Sequence, residues 1–193
     1  GNRGVTPDSL GPRVAERVFV TRHIKEHMPE AFDFDIPSVC AIAPGVLGVT
    51  GVETMDIVFG VANKVKPDLI IAVDALASRR AARISTTIQL SDSGISPGSG
   101  VGNTRADLSR ANLGVPVIAV GVPLVVYAST ISQDTISLIA DETGLHGDEA
   151  RLRELAEQVI AKHMGDFIVT PKDIDVIVED MAGIIANAIN SAL

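Results

Sequence analysis

The chain has 193 residues, 46% of them hydrophobic and only 3% aromatic, which is enough to bury one aliphatic core as a single domain. Its formal charge of -8 argues against a binder of nucleic-acid backbone, which needs a basic face. No apolar run approaches the ~20 residues of a membrane span and nothing reads as a signal peptide, so a cytoplasmic protein is expected.

The opening twelve residues are rich in turn formers. Thr6 followed by Pro7 reads as an N-cap with proline at the first helical position, which puts Asp8 in the first turn, where the helix dipole favours negative charge. Val14, Val18, Thr21 and Ile24 then fall at helical spacing, opposite Arg13, Glu16, Arg17 and Lys25. The helix settles after Pro12 and ends at Pro29. An α/β unit normally has a strand feeding it, and none precedes this helix. The sequence therefore reads as a fragment or a processed product.

Residues 39–42 read as a short strand, with Cys40, the sole cysteine, as a buried small hydrophobe in a reducing compartment. A glycine-rich stretch and an amphipathic helix over residues 53–66 follow, with Ile57, Val58, Val61, Ala62 and Val65 on its apolar side. After Lys66-Pro67, residues 69–73 are continuously apolar. That is the pattern of a central strand covered on both faces. It ends on Asp74, and in open α/β sheets the working groups sit just beyond such strand ends.

Residues 75–82 read as a helical turn, residues 84–90 as a strand and residues 91–104 as a glycine-rich loop. Residues 115–122 form another buried strand. Helices are expected over residues 128–141 and 148–162, separated by Gly144 and Gly147. Residues 167–169 are a short apolar link, and Thr170-Pro171 caps a final helix that places Ile174, Ile177, Val178, Met181, Ile185 and Ile189 on one face. The alternation of strands and helices points to a three-layer α/β/α sandwich around a mostly parallel sheet.

Two carboxylates stand out. Paired aspartates can share a proton, so that one activates water while the other donates to the substrate. A helix start favours ionised Asp8, while an apolar strand end raises the pKa of Asp74. The plainer reading is that Asp8 caps a helix and Asp74 accepts bonds from nearby amides, and sequence spacing does not choose between the two. His23-Ile24-Lys25-Glu26-His27 matches the H-x-x-E-H spacing of inverted zinc peptidases, with Glu26 as base. His27, however, lies in a fraying last turn, and no third ligand follows on a helix. The loop containing Gly98 and Gly100 can present amides to a peptide carbonyl, but it lacks the ending of a phosphate loop. Arg79, Arg80 and Arg83 trail Asp74, as arginines that recognise a carboxylate or as ordinary solvated residues.

Longer motifs add more than spacing does. Thr6-Pro7-Asp8-Ser9-Leu10-Gly11-Pro12, Ala43-Pro44-Gly45-Val46-Leu47-Gly48-Val49-Thr50-Gly51 and Val73-Asp74-Ala75-Leu76-Ala77-Ser78-Arg79 occur in this order. They are followed by Ser91-Asp92-Ser93-Gly94-Ile95, Pro97-Gly98-Ser99-Gly100-Val101-Gly102-Asn103 and Val169-Thr170-Pro171-Lys172. Together they resemble the germination protease family of spore-forming Firmicutes over nearly the whole chain.

The resemblance implies an aspartic-type endopeptidase, without cofactor, whose fold is similar to the hydrogenase maturation proteases. The family's essential aspartates match Asp8 and Asp74. It further implies a zymogen, a homotetramer and a place in the spore core. The implied substrates are small acid-soluble spore proteins that coat DNA, cut after a glutamate, a side chain that Arg79 or Arg83 could read. The family's propeptide and first strand are not found before Gly1. Two rival readings are a metal peptidase, with zinc at His23 and His27 or a metal gripped by Asp8 and Asp74, and an inactive binding or assembly module.

Overall fold

In the computed structural model, which describes residues 1–28, 30, 36–96, 106–144, 148–163, 165 and 167–193, the apolar run after Lys66-Pro67 forms β1 (Ile70–Ser78). The strand does not stop at Asp74. It continues through Ala75, Leu76 and Ala77 because these residues pair in parallel with β3 (Val117–Tyr127), from Ile70 opposite Val117 to Ser78 opposite Val126. Pairing with a neighbour overrides the helical preference of Ala and Leu. The expected helical turn shrinks to a 3-10 turn at Ala81–Arg83. Asp74 is thus a mid-strand residue, opposite Gly121.

The strand at the middle of the sheet is β3 rather than the one that carries Asp74. β1 lies to one side of it, and β2 (Gln89–Ser91) and β4 (Ile168–Val169) pair with it antiparallel. The sheet is therefore mixed. The β1–β3 register shifts between Leu76 and Ala77, beside Pro123 on β3. Proline has no N–H to give a ladder, and such a break is where a sheet tolerates it. The Pro123 carbonyl instead accepts the Ser85 N–H at 2.7 Å. Ser85 sits at φ 58, and the expected strand over residues 84–90 is reduced to β2.

Two apolar clusters use alternate positions of β3. The first joins Val120, Val122 and Leu124 to Leu10 and Val14 of α1 (Leu10–Ala15) and to Val178, Ala182, Ile185 and Ala186 of α8 (Ile174–Ala192). The six apolar residues expected on one face of the last helix all pack here. Its N-cap is Asp173 rather than Thr170. The second cluster joins Val117 to Ala72, Leu108 and Leu113, with Met55 and Val58 of α4 (Thr54–Val65) packed against it.

The first helix is broken where one continuous helix is expected. A 3-10 turn (Thr6–Ser9) leads into α1, and a separate α2 (Arg22–His27) follows a turn. No strand forms over residues 39–42, because Val39 bonds to the start of α2: its carbonyl accepts the Thr21 and Arg22 N–H groups, each at 2.9 Å. Cys40 is exposed, contrary to its reading as a core residue. Downstream, α6 (Ala128–Thr143) and α7 (Glu149–His163) form the expected helical pair, linked by Arg153 donating to Ser137 Oγ at 2.6 Å. Short helices α3 (Leu47–Thr50) and α5 (Arg110–Leu113) both end on a left-handed glycine. Among the described residues no helix is long and apolar enough to cross a membrane.

The last turn of α4 closes on Lys66 at φ 55, a conformation in which a side chain is strained and glycine is not. Lys66→Gly should therefore stabilise the protein by about 0.5–1 kcal/mol. A urea midpoint unchanged or lowered in the variant would contradict this.

Candidate active site

The Asp8 carboxylate is held by a compact turn. Pro7 fixes the early turn, and the Asp8 N–H donates to the Val5 carbonyl at 2.9 Å. Ser9, fully buried, donates its hydroxyl back to the Thr6 carbonyl at 2.7 Å. The Asn2 N–H donates to Asp8 Oδ2 at 2.6 Å, so one carboxylate oxygen is occupied by the backbone.

Close packing brings this turn to β1. Gly11, one helical turn beyond Asp8, lies so near the strand that a Cβ on it would be 2.6 Å from the Val73 carbonyl oxygen. Val73 immediately precedes Asp74. Gly1 sits between the two carboxylates: its amino nitrogen is 4.0 Å from Asp74 Oδ1, and a Cβ on it would lie 3.3 Å from Asp8 Oδ1. On β3, Gly121 leaves the space that Leu76 fills, since a Cβ there would meet Leu76 Cδ1 at 2.4 Å.

The electrostatics follow from this crowding. The Asp74 side chain is only 15% exposed. Burial is the main reason its pKa rises to about 6; the Gly1 amino group opposes the rise, the Asp8 carboxylate adds to it, and the Ala75 N–H opposes it. Asp8 is also raised. Burial again leads, against the Gly1 amino group and the Asn2 N–H. Asp8 therefore does not show the lowered pKa that a helix start favours, because desolvation outweighs the favourable dipole at a half-buried site. Two raised carboxylates in mutual range can hold one proton between them.

The other sequence candidates lie elsewhere. Arg79 is the first residue past β1 and Arg83 closes the 3-10 turn; both are exposed. Five extended residues separate the Asp74 and Arg79 Cα atoms by roughly 16 Å, so Arg79 does not join the carboxylates directly. The arginine turn is anchored to α6 by the Ala81 N–H, which donates to Asp134 Oδ2 at 2.8 Å. Gly98 and Gly100 lie outside the described residues. The base of their loop is closed by Ile95 and Leu108, whose N–H groups donate to each other's carbonyls at 3.1 and 2.8 Å. His23 and His27 are exposed on α2, and among the described residues no three His, Cys, Asp or Glu side chains gather as metal ligands.

Sequence reasoning missed the residues around the two carboxylates: Gly1 and Asn2, which approach them, Gly11, which seats the Asp8 turn against β1, and Gly121, opposite Asp74. Gly11 and Gly121 lie inside a helix and a strand, where glycine weakens the element unless another group needs the space. That placement was the available signal.

The sequence profile of a family described as germination protease matches residues 1–149. Relatives named germination protease cover the whole chain. The protein of Clostridium tetani is 46% identical over 208 residues, that of Clostridium acetobutylicum 47% over 206, and that of Caldanaerobacter subterraneus subsp. tengcongensis 48% over 206. The chain spans 64%, 63% and 64% of these relatives, a little under two thirds of their length. By profile and by identity, the chain belongs to the germination protease family.

Proposed function

We propose that this chain is the catalytic part of an endopeptidase in which Asp8 and Asp74 together activate the attacking water. The observation that supports the reading is the placement of two carboxylates far apart in sequence: both approach Gly1, both are raised by burial, and the Asp8 charge adds to the rise at Asp74. With one proton shared between them, the ionised carboxylate takes a proton from water as its oxygen adds to the peptide carbonyl carbon. The protonated partner hydrogen-bonds the carbonyl oxygen as charge develops there. The proton taken from water then passes to the leaving amine as the C–N bond breaks. The same fold reading adds three layers around the sheet, as in hydrogenase maturation proteases. The proposed substrates are small acid-soluble spore proteins in the spore core, with Arg79 and Arg83 facing the glutamate before the cut, and the whole protein is a zymogen that matures to a homotetramer.

The test is cleavage of a small acid-soluble spore protein, with and without chelator, by the protein and by Asp8→Asn and Asp74→Asn. The expected result is chelator-resistant cleavage that both variants lose. Loss on chelation would assign the carboxylates to a metal instead. Cleavage that survives both substitutions would remove them from the chemistry.

The shared proton also sets a pH dependence. The working form carries one proton on the pair, so kcat/KM should rise as the first proton leaves and fall as pH climbs through about 6, where Asp74 gives up the second. A profile that keeps rising past that point would mean that the doubly ionised pair is the active form.

A further inference from the structure

The family profile ends at residue 149, yet the turn that carries Asp8 is tied to the C-terminal helix α8. Glu179 of α8 accepts from Arg13 Nη1 at 2.5 Å. Arg13 Nε donates to Ser9 Oγ at 3.0 Å, and Ser9 Oγ donates to the Thr6 carbonyl at 2.7 Å. The Ser9 hydroxyl is therefore both acceptor and donor at a fully buried position, with Asp8 inside the loop that it closes. A buried hydroxyl that loses one partner cannot turn to water for another.

A second set of ties joins the segment just after α1 to α8 without touching the turn. Arg17 Nη1 donates to the Glu179 carbonyl at 2.8 Å, and its Nη2 pairs with Glu179 Oε1. Asn190 donates to the Arg17 carbonyl at 3.0 Å and accepts the Phe19 N–H at 2.8 Å. These hold the residues that follow α1 on α8. α8 also packs on the Thr6–Ser9 turn, but of these hydrogen bonds among the described residues only the Arg13 branch continues to the loop around Asp8.

We infer that Ser9, Arg13 and Glu179 are positioning residues: α8 fixes the Asp8 carboxylate against Asp74 through the Glu179–Arg13–Ser9 relay. The inference rests on the aspartate-pair reading of the site. A carboxylate that must share a proton with its partner tolerates little drift, and a misplacement of about 1 Å can cost on the order of 10²-fold in rate.

The experiment compares Ser9→Ala, Arg13→Ala and Arg17→Ala, using spore-protein cleavage and amide hydrogen exchange. Ser9→Ala and Arg13→Ala should each lower kcat by roughly tenfold or more with KM within about twofold, and the double variant should lose no more than the worse single one. Arg17→Ala, which weakens the neighbouring tie to α8 and leaves the Glu179–Arg13 and Arg13–Ser9 bonds in place, should keep kcat within about twofold. Exchange of the Asp8 amide should speed up in Arg13→Ala and not in Arg17→Ala. Wild-type kcat in folded Ser9→Ala and Arg13→Ala would overturn the relay, as would equal kcat losses in Arg13→Ala and Arg17→Ala. If the unmutated protein does not cleave, the proposed function fails by itself. The relay is then decided by exchange: selective loosening in Arg13→Ala sustains it, and equal rates in both variants overturn it.

Discussion

Asp74→Asn should leave a protein that is more stable at pH 7 and no longer cleaves. Asp74 titrates at about 6 in the fold against an ordinary value of 3.8, so folding favours its protonated form. A raised carboxylate stabilises the fold fully below its unfolded pKa, and that contribution disappears as pH rises through the folded one. At pH 7 the protein therefore carries an ionised, mostly buried carboxylate at a cost of about 3 kcal/mol, the equivalent of the shift. Asparagine has nearly the same shape and cannot ionise. The variant should gain up to about that amount at pH 7, or several degrees in Tm for a chain of this size. Below about pH 4, where the aspartate is protonated too, the gain should vanish. In the same variant the pair has lost its proton exchange, and kcat should fall by about 10³-fold or more. Thermal unfolding at the two pH values, beside cleavage at neutral pH, checks both halves. A Tm difference that does not change with pH would show that the site does not strain the ionised carboxylate. A gain in stability with loss of activity is the pattern expected where function holds a charge that the fold disfavours.

Gly11→Ala should damage stability and catalysis together, although alanine is the better helix former. In an open helix the substitution gains up to about 1 kcal/mol. At Gly11 the new Cβ would stand 2.6 Å from the Val73 carbonyl oxygen, a backbone atom that cannot rotate aside. Helix α1 must lift from β1, at an overpacking cost of about 1–3 kcal/mol. Leu10 and Val14, both essentially buried in the first cluster, would move with it. So would Asp8, three residues earlier, and the predicted loss in kcat is on the order of 10²-fold. Gly60→Ala is the matched control. Gly60 lies inside α4 with nothing within 4 Å of a Cβ, so that variant should be stabilised by about 0.5–1 kcal/mol and keep full activity. Gly121→Ala belongs between the two, because its obstacle is the Leu76 side chain, which can shift. A Gly11→Ala protein as stable and as active as wild type would show that the α1–β1 approach is not what sets Asp8.

The residues that sequence alone identifies are those whose signal is local. The apolar stripe of α8, the long helices α6 and α7 and the buried character of β3 follow from periodicity, which survives in any fold that buries one face. Asp8 and Asp74 were legible as a turn carboxylate and a strand carboxylate, and as matches to family motifs. What sequence does not carry is pairing. That β1 runs on to Ser78, that β3 rather than β1 is flanked on both sides, and that residues 39–42 bond to Thr21 and Arg22 instead of joining a ladder are all decided by distant partners. The same holds for the site. Asp8 looks like a simple helix cap until Gly11 seats its turn on β1; burial then raises its pKa, as it does that of Asp74, to which the Asp8 charge adds. Chemical identity is written in the chain, whereas proximity and desolvation, which turn two aspartates into a pair, come only from the packing of α1 and β1.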